Sequence, residues 1–474
     1  MLENENPDEN GSQSRHGRGM ELILSAEDSK DWVYKGEGAA NIVLSYIGSS
    51  DYLLGKVLRI HKVPRGRTKS TNVSSFLSRH EILLWRDIGE NVESISKEVI
   101  GQLFIMNVMS PLLDPKHVDG GIRVIVSKEF LERVGKNILG QRPGQRVDVS
   151  EVDVFCDSAL LINDHSLISR KSGTLKEEVC FAVEIKPKCG YLPNSEFIAK
   201  KNYFKKNVPR FEMHQILKLH QGEISQLSRY NPLDLFSGKK ERIHQAISAL
   251  FSTPQNNFRV FLNGSRIFGG LGGGVDKAAV CCHDRNGEIE DLKKVCWLPL
   301  DSFPELITEA IFSSAALGRL LASQKLDHYD IEGAIHAYYN IVYEPCLACK
   351  TCSDPDSLLR YSFLHDLSLE ESLKIVRDYL IAATAKDCSL MISFRPAEDM
   401  GDDEFNSVFL ESSNQYFDYK VNFIDLDMKP LQKMDYYYEL DQKIATVYAK
   451  YMQNEVGYCN SANLSEGNEV QWEQ

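Results

Sequence analysis

The order of strand and helix patterns along the chain constrains its fold more than any single motif. From Met20 to about residue 60, the segments ELILS, DWVYKGEGAANIVLSYIG and YLLGKVLRIHK predict a β-hairpin plus a third strand. Helical periodicity follows near 76–88, 92–106 and 208–221, and it dominates from 300 to 385. Later strand-like segments are FCDSALLIN, CFAVEIKPKCG, SLMISF and FDYKVNFIDL. We therefore expect an α+β protein with a β-rich first lobe, a larger mixed lobe, and any site between them.

Charge and composition argue against several classes of function. The 474 residues are 43% hydrophobic and 26% charged, which is ordinary for a globular protein. The net charge, 54 − 67 = −13, argues against a general nucleic-acid binder, although a local basic cluster could still bind a small anion. No apolar run is long enough to span a bilayer, so we expect no membrane partner. Eleven cysteines and a polar stretch over residues 1–19 indicate a reducing compartment, cytoplasmic or nuclear.

The turn YKGEGAAN, residues 34–41, is the first candidate for ligand binding. Gly36 and Gly38 permit positive φ and let backbone N–H groups approach a phosphate closely. No Gly-Lys-Ser/Thr follows, so the turn is not a Walker A loop. It is similar to the strand–turn–strand loop that covers ATP in kinases, or it is an ordinary hairpin turn. In the next strand, Lys56 and Arg59 lie three residues apart and face opposite sides, so only one can contact the same phosphates.

Two aspartates stand at the ends of predicted elements. Asp387 follows the helical pattern ESLKIVRDYLIAATA, which opens with a capping box at Ser368 to Glu371, and Asp425 ends the strand YKVNFID. Phosphoryl transfer needs one carboxylate to orient and deprotonate the attacking hydroxyl and another to hold Mg²⁺. The alternative is that each aspartate only caps its element.

Basic residues recur at spacings that would group their side chains. VEIKPKCG, residues 183–190, ends in Lys186 and Lys188, which would share one face if the strand continued; its polar end is also typical of an edge strand. Two sets at i, i+4 and i+8 would each occupy one helix face: Arg210, His214 and Lys218, and Lys429, Lys433 and Tyr437. Such sets are often solvated faces, but their recurrence favours a ligand that carries many phosphates.

A group of histidines and cysteines has the spacing of a metal site. His336, Cys346, Cys349 and His365 supply imidazole and thiolate ligands in the number that suits tetrahedral Zn²⁺, and Cys-x₂-Cys is a common chelate spacing. Cys352 is a rival ligand because Cys349 and Cys352 repeat that spacing. A closed site of four protein ligands would be structural, and the alternative is a chance cluster of cysteines.

Together these motifs resemble the inositol-pentakisphosphate 2-kinases, particularly the plant members, over about residues 20–450. The resemblance depends on YKGEGAANIVLSY, GKVLRI, QRVDVSEVD, DSALLINDHS, VEIKPKCG, RFEMHQILKL, NPLDLFSG, STPQNNFRVFLNG, the His/Cys group, YLIAATAKDCSLMISF and FIDLDMKPLQKM. It implies a two-lobed inositol-phosphate-kinase fold distantly related to protein kinases. The implied reaction moves the γ-phosphate of ATP to the 2-hydroxyl of inositol 1,3,4,5,6-pentakisphosphate and gives the hexakisphosphate, phytate.

The same resemblance implies roles for individual residues. Asp387 would be the base, Lys186 would meet the transferring phosphate, and Asp425 would hold Mg²⁺. The nucleotide contacts would be Gly38, Ala39, Ala40, Asn41, Arg59, the hinge residues Asn163, Asp164 and His165, and Glu184 and Arg259. The inositol phosphates would be bound by Arg146, Lys188, His214, Lys218, Asn256, Asn257, Lys429, Lys433 and Tyr437, supported by Arg210. The structural zinc ligands would be His336, Cys346, Cys349 and His365.

Two residues depart from the family pattern. Lys433 stands where relatives carry Arg, so it keeps the charge but loses the bidentate fork, and Ala39 replaces a glycine that is frequent in plant relatives. We expect a monomer with an N-lobe at 20–165 and a C-lobe at 166–455, and the polar composition of 1–19 and 456–474 predicts a disordered extension and a disordered tail.

Two other functions would use some of the same residues. A non-catalytic inositol-phosphate-binding protein would need the basic residues but not Asp387 and Asp425. A kinase that acts on protein is disfavoured because His-Arg-Asp and Asp-Phe-Gly are absent from the sequence.

Overall fold

The chain forms two compact units, each with its own sheet and core. The computed structural model describes residues 22–38, 40–66, 76–168, 179–270, 298, 302–352, 354–397 and 405–465. The first unit comprises the described parts of Met1–Arg67 and Ile122–Leu161. The second comprises the described parts of Thr68–Gly121 and Ile162–Gln474. The predicted extension at 1–19 lies outside the described residues.

The strands in the described residues include the predicted segments, and further strands at 122–126, 150–152, 258–262, 265–268 and 406–410 were not predicted. They are β1 (Ile23–Leu24), β2 (Trp32–Glu37), β3 (Asn41–Tyr46), β4 (Lys56–Pro64), β5 (Ile122–Val126), β6 (Ser150–Val152), β7 (Ser158–Asn163), β8 (Phe181–Ile185), β9 (Phe258–Leu262), β10 (Ser265–Phe268), β11 (Ser389–Ala397), β12 (Asn406–Leu410) and β13 (Gln415–Ile424). The hairpin predicted around the glycine turn is β2 and β3, and β4 pairs with β3 as the third strand.

The α-helices lie mainly in the second unit. They span Arg79–Trp85, Lys97–Phe104, Ser110–Leu113, Lys128–Asn137, Gly144–Val149, Arg210–His220, Pro232–Leu235, Lys240–Ser252, Ser302–Ser314, Ala316–Gln324, Asp330–Val342, Leu347–Thr351, Pro355–His365, Leu369–Asp387 and Met434–Ser465. The mixed composition of strands and helices confirms the α+β prediction at the level of fold class.

The first sheet has the strand order β1-β5-β7-β4-β3-β2, with β6 paired to β4. Alternate residues of its strands, among them Trp32, Ile42, Leu44 and Leu58, pack with Phe130 from helix Lys128–Asn137 into one apolar core. The segment ELILS contributes only the two residues of β1, which pair in parallel with β5. It is therefore not part of the antiparallel hairpin.

The second sheet has the order β10-β9-β8-β11-β13-β12 and places the segment VEIKPKCG at its centre. All five residues of β8 are buried because the strand pairs with β9 on one side and β11 on the other. Phe181, Val183 and Ile185 enter the large core, while Ala182 packs with a small cluster on the opposite face. The edge-strand alternative is wrong.

Helix Leu369–Asp387 begins as its sequence predicts and delivers Asp387 to the sheet. The Ser368 hydroxyl accepts a hydrogen bond from the Glu371 N–H, and the Ser368 N–H donates to the Glu371 carboxylate at 2.9 Å. Leu373, Val376 and Leu380 pack in the large core, and the helix ends at Asp387, two residues before β11.

Two predicted boundaries differ from the structure. The N-lobe was predicted to run unbroken from 20 to 165, but helices Arg79–Trp85 and Lys97–Phe104 belong to the second unit, because Leu84 and Phe104 pack in its core. The C-lobe was predicted to end at residue 455, whereas the last helix continues through Ser465.

Within the described residues, no single helix has the length and apolar composition needed to cross a membrane. Helices Ser302–Ser314 and Ala316–Gln324 meet that test only as a pair, and the chain bends by 69° between them.

Candidate functional site

The segment Lys186–Gly190, called the lysine loop below, leaves β8 and meets the end of β13. The Lys186 ammonium lies 3.2 Å from the Asp425 carboxylate, which stays 46% exposed. Burial acts to lower the pKa of Lys186, but Asp425, Glu184 and Asp387 outweigh it, so the net pKa is raised. Lys186 is therefore a firmly charged cation beside an accessible carboxylate.

Asp387 lies within the same charge cluster. Its carboxylate accepts a hydrogen bond of 2.6 Å from the Lys429 ammonium. Burial acts to raise the pKa of Asp387, but Lys429, Lys188 and Lys186 lower it overall. The structure thus brings both predicted catalytic aspartates together with three of the predicted lysines.

Lys188 does not continue the strand. Its φ is 63°, in the left-handed region that a non-glycine residue rarely adopts, so Lys186 and Lys188 do not alternate along one extended face as predicted. Burial, together with Lys186, Lys218 and Lys429, lowers the pKa of Lys188 to about 8, against the pull of Asp387. Among the described residues, no hydrogen bond or ion pair engages the Lys188 ammonium, which leaves it available to an anion.

Two further non-glycine residues near this site have a left-handed φ. Asp425 has φ of 60° and Gln255, beside the predicted Asn256 and Asn257, has φ of 44°. Residues held in sparsely populated backbone regions persist only where surrounding contacts fix them, and they often mark functional sites.

Helix Arg210–His220 carries its basic set on one face, as predicted. The Arg210 guanidinium is bound by the Asp441 carboxylate, which also accepts a hydrogen bond from Lys205. Burial, with the charges of Lys218, Arg210 and Lys188, lowers the pKa of His214 to about 3. His214 is therefore neutral at pH 7 and offers a hydrogen bond rather than a charge.

The other basic set is not one helix face. Pro430 keeps Lys429 out of helix, a 3₁₀ turn spans Leu431–Lys433, and the α-helix begins only at Met434. Lys433 is exposed. Tyr437 lies near Asp387, since burial and the Asp387 charge raise its pKa to about 12.

Asn257 and Asn256 border the lysine loop from the segment before β9. The Asn257 carbonyl accepts a hydrogen bond of 2.9 Å from the Lys186 N–H, and the side chain of Asn257 is almost fully buried. Asn257 thus supports the loop through its backbone, while Asn256 is partly exposed.

Glu184 and Arg259 pair across strands β8 and β9. The Arg259 guanidinium lies 2.7 Å from the Glu184 carboxylate, which also accepts a hydrogen bond of 2.9 Å from Ser389. Glu184 is buried, and each oxygen of its carboxylate accepts a hydrogen bond within the protein.

The predicted hinge residues are organised by Asp119, which sequence reasoning missed. Asn163 donates to the Asp119 carboxylate from its backbone N–H at 3.0 Å and from its side chain at 2.6 Å. His165 Nε2 lies 3.4 Å from the same carboxylate, and the Asp164 carboxylate accepts a hydrogen bond from Ser166. Burial acts to raise the pKa of Asp119, but His165 and the Asn163 N–H hold that pKa well below its usual range.

The glycine turn of the first unit is anchored by Glu37. Its carboxylate lies 2.7 Å from the Lys62 ammonium and 3.0 Å from the Arg142 guanidinium, and all three side chains are buried. Gly38 donates to the Asn41 carbonyl at 2.9 Å. Neither glycine needs positive φ, and a Cβ at Gly36 or Gly38 would meet nothing within 4 Å, so these glycines leave an open backbone.

The remaining predicted contacts of the first unit lie on several elements. Arg59 lies on β4 with Lys56, Arg146 lies on the short helix Gly144–Val149, and Ala40 is exposed beside Asn41. Ala39 lies outside the described residues. Their nucleotide and phosphate roles stay predictions.

The four predicted metal ligands converge in the second unit. The donor atoms of His336, Cys346, Cys349 and His365 all lie within 4.8 Å of one another. His336 Nδ1 is 3.3 Å from Cys346 Sγ, and His365 Nε2 is 3.3 Å from Cys349 Sγ. The other His365 nitrogen faces Asn340 Oδ1 at 3.1 Å, the second contact expected of a metal-bound imidazole.

Cys352 is outside this cluster, since its Sγ faces the Asp354 carbonyl at 3.7 Å. Burial and the neighbouring Cys346 raise the pKa of Cys349 to about 12, so a bare cluster would keep its thiol protonated. A divalent cation would reverse that preference, and the set therefore fits a soft divalent metal. A second acidic cluster, Asp330, Glu332 and Asp441, instead encloses the ammonium of Lys205.

Comparison with known proteins gives matches along nearly the whole chain. A model of the family described as inositol-pentakisphosphate 2-kinase matches residues 34–443, a range that contains every predicted site residue. A protein of Oryza sativa subsp. indica with that name is 56% identical over 434 residues, covering 91% of this chain and 96% of its own. One from Arabidopsis thaliana is 51% identical, with coverages of 90% and 95%. One from Danio rerio is 30% identical, also with coverages of 90% and 95%.

Proposed function

The chain belongs to the inositol-pentakisphosphate 2-kinase family, and we propose that it transfers the γ-phosphate of ATP to the 2-hydroxyl of inositol 1,3,4,5,6-pentakisphosphate. The observation that carries the proposal is the cluster of Asp387 and Asp425 with Lys186, Lys188 and Lys429. An acidic protein with a concentrated cationic site suits a small, highly phosphorylated substrate.

Asp387 would take the proton of the attacking 2-hydroxyl. Its lowered pKa keeps the carboxylate ionised at neutral pH, ready to accept a hydrogen bond from that hydroxyl. Lys186 would lie against the transferring phosphate, because it is held beside Asp425 at the end of β8.

Inositol phosphates would bind to the cations around Asp387. Lys188 and Lys218 have no ion-pair partner among the described residues, so phosphate oxygens would supply their missing counter-charge. Neutral His214 would donate a hydrogen bond, and Tyr437, with its raised pKa, stays protonated and can also donate. Arg146, Asn256, Asn257, Lys429 and Lys433 complete the proposed set, with Arg210 in support.

The proposed nucleotide contacts are those that the family resemblance implies. Gly38 to Asn41 and the guanidinium of Arg59 would contact the phosphates of ATP, and Asn163 to His165 would meet its adenine. Because Glu184 and Arg259 already pair with each other, we assign them mainly to shaping the nucleotide side.

Two metals belong to the proposal. Asp425 has an exposed carboxylate suited to Mg²⁺, which would neutralise charge on the β- and γ-phosphates when bound. The Cys₂His₂ cluster suits a structural Zn²⁺, and with four protein ligands it would take no part in the chemistry. We place the activity in the cytoplasm or nucleus, in line with the expected reducing compartment.

The decisive experiment incubates the protein with ATP, Mg²⁺ and each inositol pentakisphosphate isomer and resolves the products by chromatography. Phosphorylation only of the isomer with a free 2-hydroxyl supports the proposal, and no product from that isomer contradicts it. Lys186→Ala should mainly lower turnover, and Lys188→Ala should mainly raise KM for the inositol substrate. Tight binding without turnover would instead favour the non-catalytic alternative.

A further inference from the structure

Gln324 is fully buried at the end of helix Ala316–Gln324, and the sequence motifs assign it no role. Its side-chain amide donates to the Lys188 carbonyl at 2.8 Å and to the Ala385 carbonyl at 3.1 Å. Its carbonyl oxygen accepts a hydrogen bond of 2.8 Å from the Gly190 N–H. One side chain therefore joins the lysine loop to the helix that ends in Asp387.

The two carbonyls that accept hydrogen bonds from Gln324 lie where the backbone is not part of a regular hydrogen-bonding pattern. Ala385 lies in the last turn of its helix, where carbonyls lack intrahelical partners. Lys188 has left-handed φ, a conformation that persists only where surrounding contacts impose it.

Other contacts hold the rest of the lysine loop. The Tyr230 hydroxyl donates to the Pro187 carbonyl at 2.7 Å, and Lys186 is held by the Asn257 carbonyl. A Cβ at Gly190 would lie 2.3 Å from the ring of Phe236, so the loop has no room to shift toward that side. Gln324 adds contacts to the Lys188 carbonyl and to the Gly190 N–H.

We propose that Gln324 is a positioning residue that fixes the Lys188 ammonium and the Asp387 carboxylate relative to each other. The inference rests on the proposed function, since it assigns Lys188 to a ring phosphate and Asp387 to the reacting hydroxyl. Without the amide, Lys188 would leave its strained φ and the last turn of the helix would lose a tether. Phosphate binding and turnover would then both fall, while the KM for ATP would not change.

A double-mutant cycle tests this directly. Binding of inositol hexakisphosphate is titrated for the wild type, Gln324→Met, Lys188→Ala and the double variant. We expect Gln324→Met alone to weaken binding about tenfold, and less than about threefold when Lys188 is already Ala, because coupled residues are not additive. Equal effects in both backgrounds, or no effect in either, would overturn the proposal.

Ser323→Ala is the matched control. Ser323 is also buried on the same helix, but its hydroxyl donates to the Arg319 carbonyl of that helix. It should leave binding and turnover within about twofold in both backgrounds. Circular dichroism selects an assay temperature at which every variant is folded. If Gln324→Met does not fold, Gln324→Glu replaces it in the cycle. This variant keeps the side-chain shape and the acceptor for the Gly190 N–H, but its ionised carboxylate donates to neither the Lys188 nor the Ala385 carbonyl.

Amide hydrogen exchange gives a measurement that needs no ligand. Exchange at Gly190 should accelerate in Gln324→Met and stay unchanged in Ser323→Ala, and unchanged exchange in Gln324→Met would contradict the inference. Failure of the wild type to phosphorylate the pentakisphosphate would contradict the proposed function instead, and the exchange result would still decide the role of Gln324.

Discussion

The carboxylate of Asp387 is hydrogen-bonded to the ammonium of Lys429 at 2.6 Å. The proposed base is thus held by a cation that is also assigned to a substrate phosphate. Binding of that phosphate to Lys429 would change the charge next to Asp387, so the proposal links substrate binding to the state of the base.

Replacement of Asp387 should separate chemistry from binding. Asp387→Asn keeps the size of the side chain but cannot accept a proton, and we expect turnover to fall by about 10²- to 10⁴-fold. Affinity for the pentakisphosphate, measured by calorimetry, should change little. Asp378→Asn on the same helix is the control, because Asp378 pairs with Lys374 away from this cluster. Loss of binding in Asp387→Asn would indicate a structural aspartate.

Affinity for inositol phosphates should fall as pH rises past about 8. The pKa of Lys188 is lowered to about 8 by burial and its neighbouring lysines, so its ammonium loses its charge there. Titrations between pH 7 and 9.5 should show the loss in the wild type and a smaller one in Lys188→Ala. A wild-type profile as shallow as that of the variant would contradict this assignment.

The same group should affect folding stability with the opposite sign. In the unfolded chain Lys188 titrates near its ordinary value of 10.5, so between pH 8 and 10.5 the unfolded state binds more protons than the folded state. The contribution of Lys188 to the free energy of unfolding therefore rises with pH over that window. Denaturant unfolding of the wild type and Lys188→Met at several pH values measures the difference, and a difference that falls with pH would be the wrong sign.

Removal of the metal should destabilise the second unit. Cys349→Ser should lose one Zn²⁺ per chain, measured by elemental analysis of the purified protein, and should lower the Tm. Cys352→Ser is the matched control and should retain the metal, because Cys352 lies outside the ligand cluster. Equal metal loss in both variants would show that the ligand set is wrong.

Loss of a buried ion pair in the second sheet should lower the free energy of unfolding more than loss of an exposed pair. Arg395 and Asp418 face each other across β11 and β13 at 2.7 Å, and both are buried. Asp418→Ala should lower the free energy of unfolding by about 3–5 kcal/mol because it removes a buried carboxylate that accepts two hydrogen bonds from the Arg395 guanidinium. Glu370→Ala, which breaks an exposed pair with Arg86, should cost less than about 1 kcal/mol in the same urea titrations. Similar losses in the two variants would contradict the argument.

Local signals predicted much of the fold. The capping box at Ser368 and the glycine hairpin were predictable because hydrogen bonds between near neighbours define them. The basic face of helix Arg210–His220 was predictable for the same reason, since unbroken periodicity gives the face.

The predictions that placed basic residues on one face were wrong in two segments, and each segment contains a proline. Pro430 restricts Lys429 to extended backbone, and the α-helix begins only at Met434, five residues after Lys429, where the i, i+4 spacing placed its start. After Pro187, Lys188 adopts positive φ instead of continuing the strand, which no propensity rule indicates.

The supporting residues were missed because their contacts are distant in sequence. Gln324 lies 136 residues from Lys188, and Asp119 lies 44 residues from Asn163. A buried glutamine or aspartate has no local pattern that distinguishes it from any other polar residue. Only the folded chain shows which backbone groups these side chains satisfy.

The glycine turn has an unusual mechanical property. Glu37, the residue between its two glycines, is clamped by Lys62 and Arg142 with only 2% of its side chain exposed. A glycine-rich loop normally fluctuates and loses much conformational entropy when a ligand orders it. Here Glu37 is held in place, so a nucleotide that contacted the turn as proposed would meet a backbone already ordered at this residue, and less conformational entropy would be lost on association.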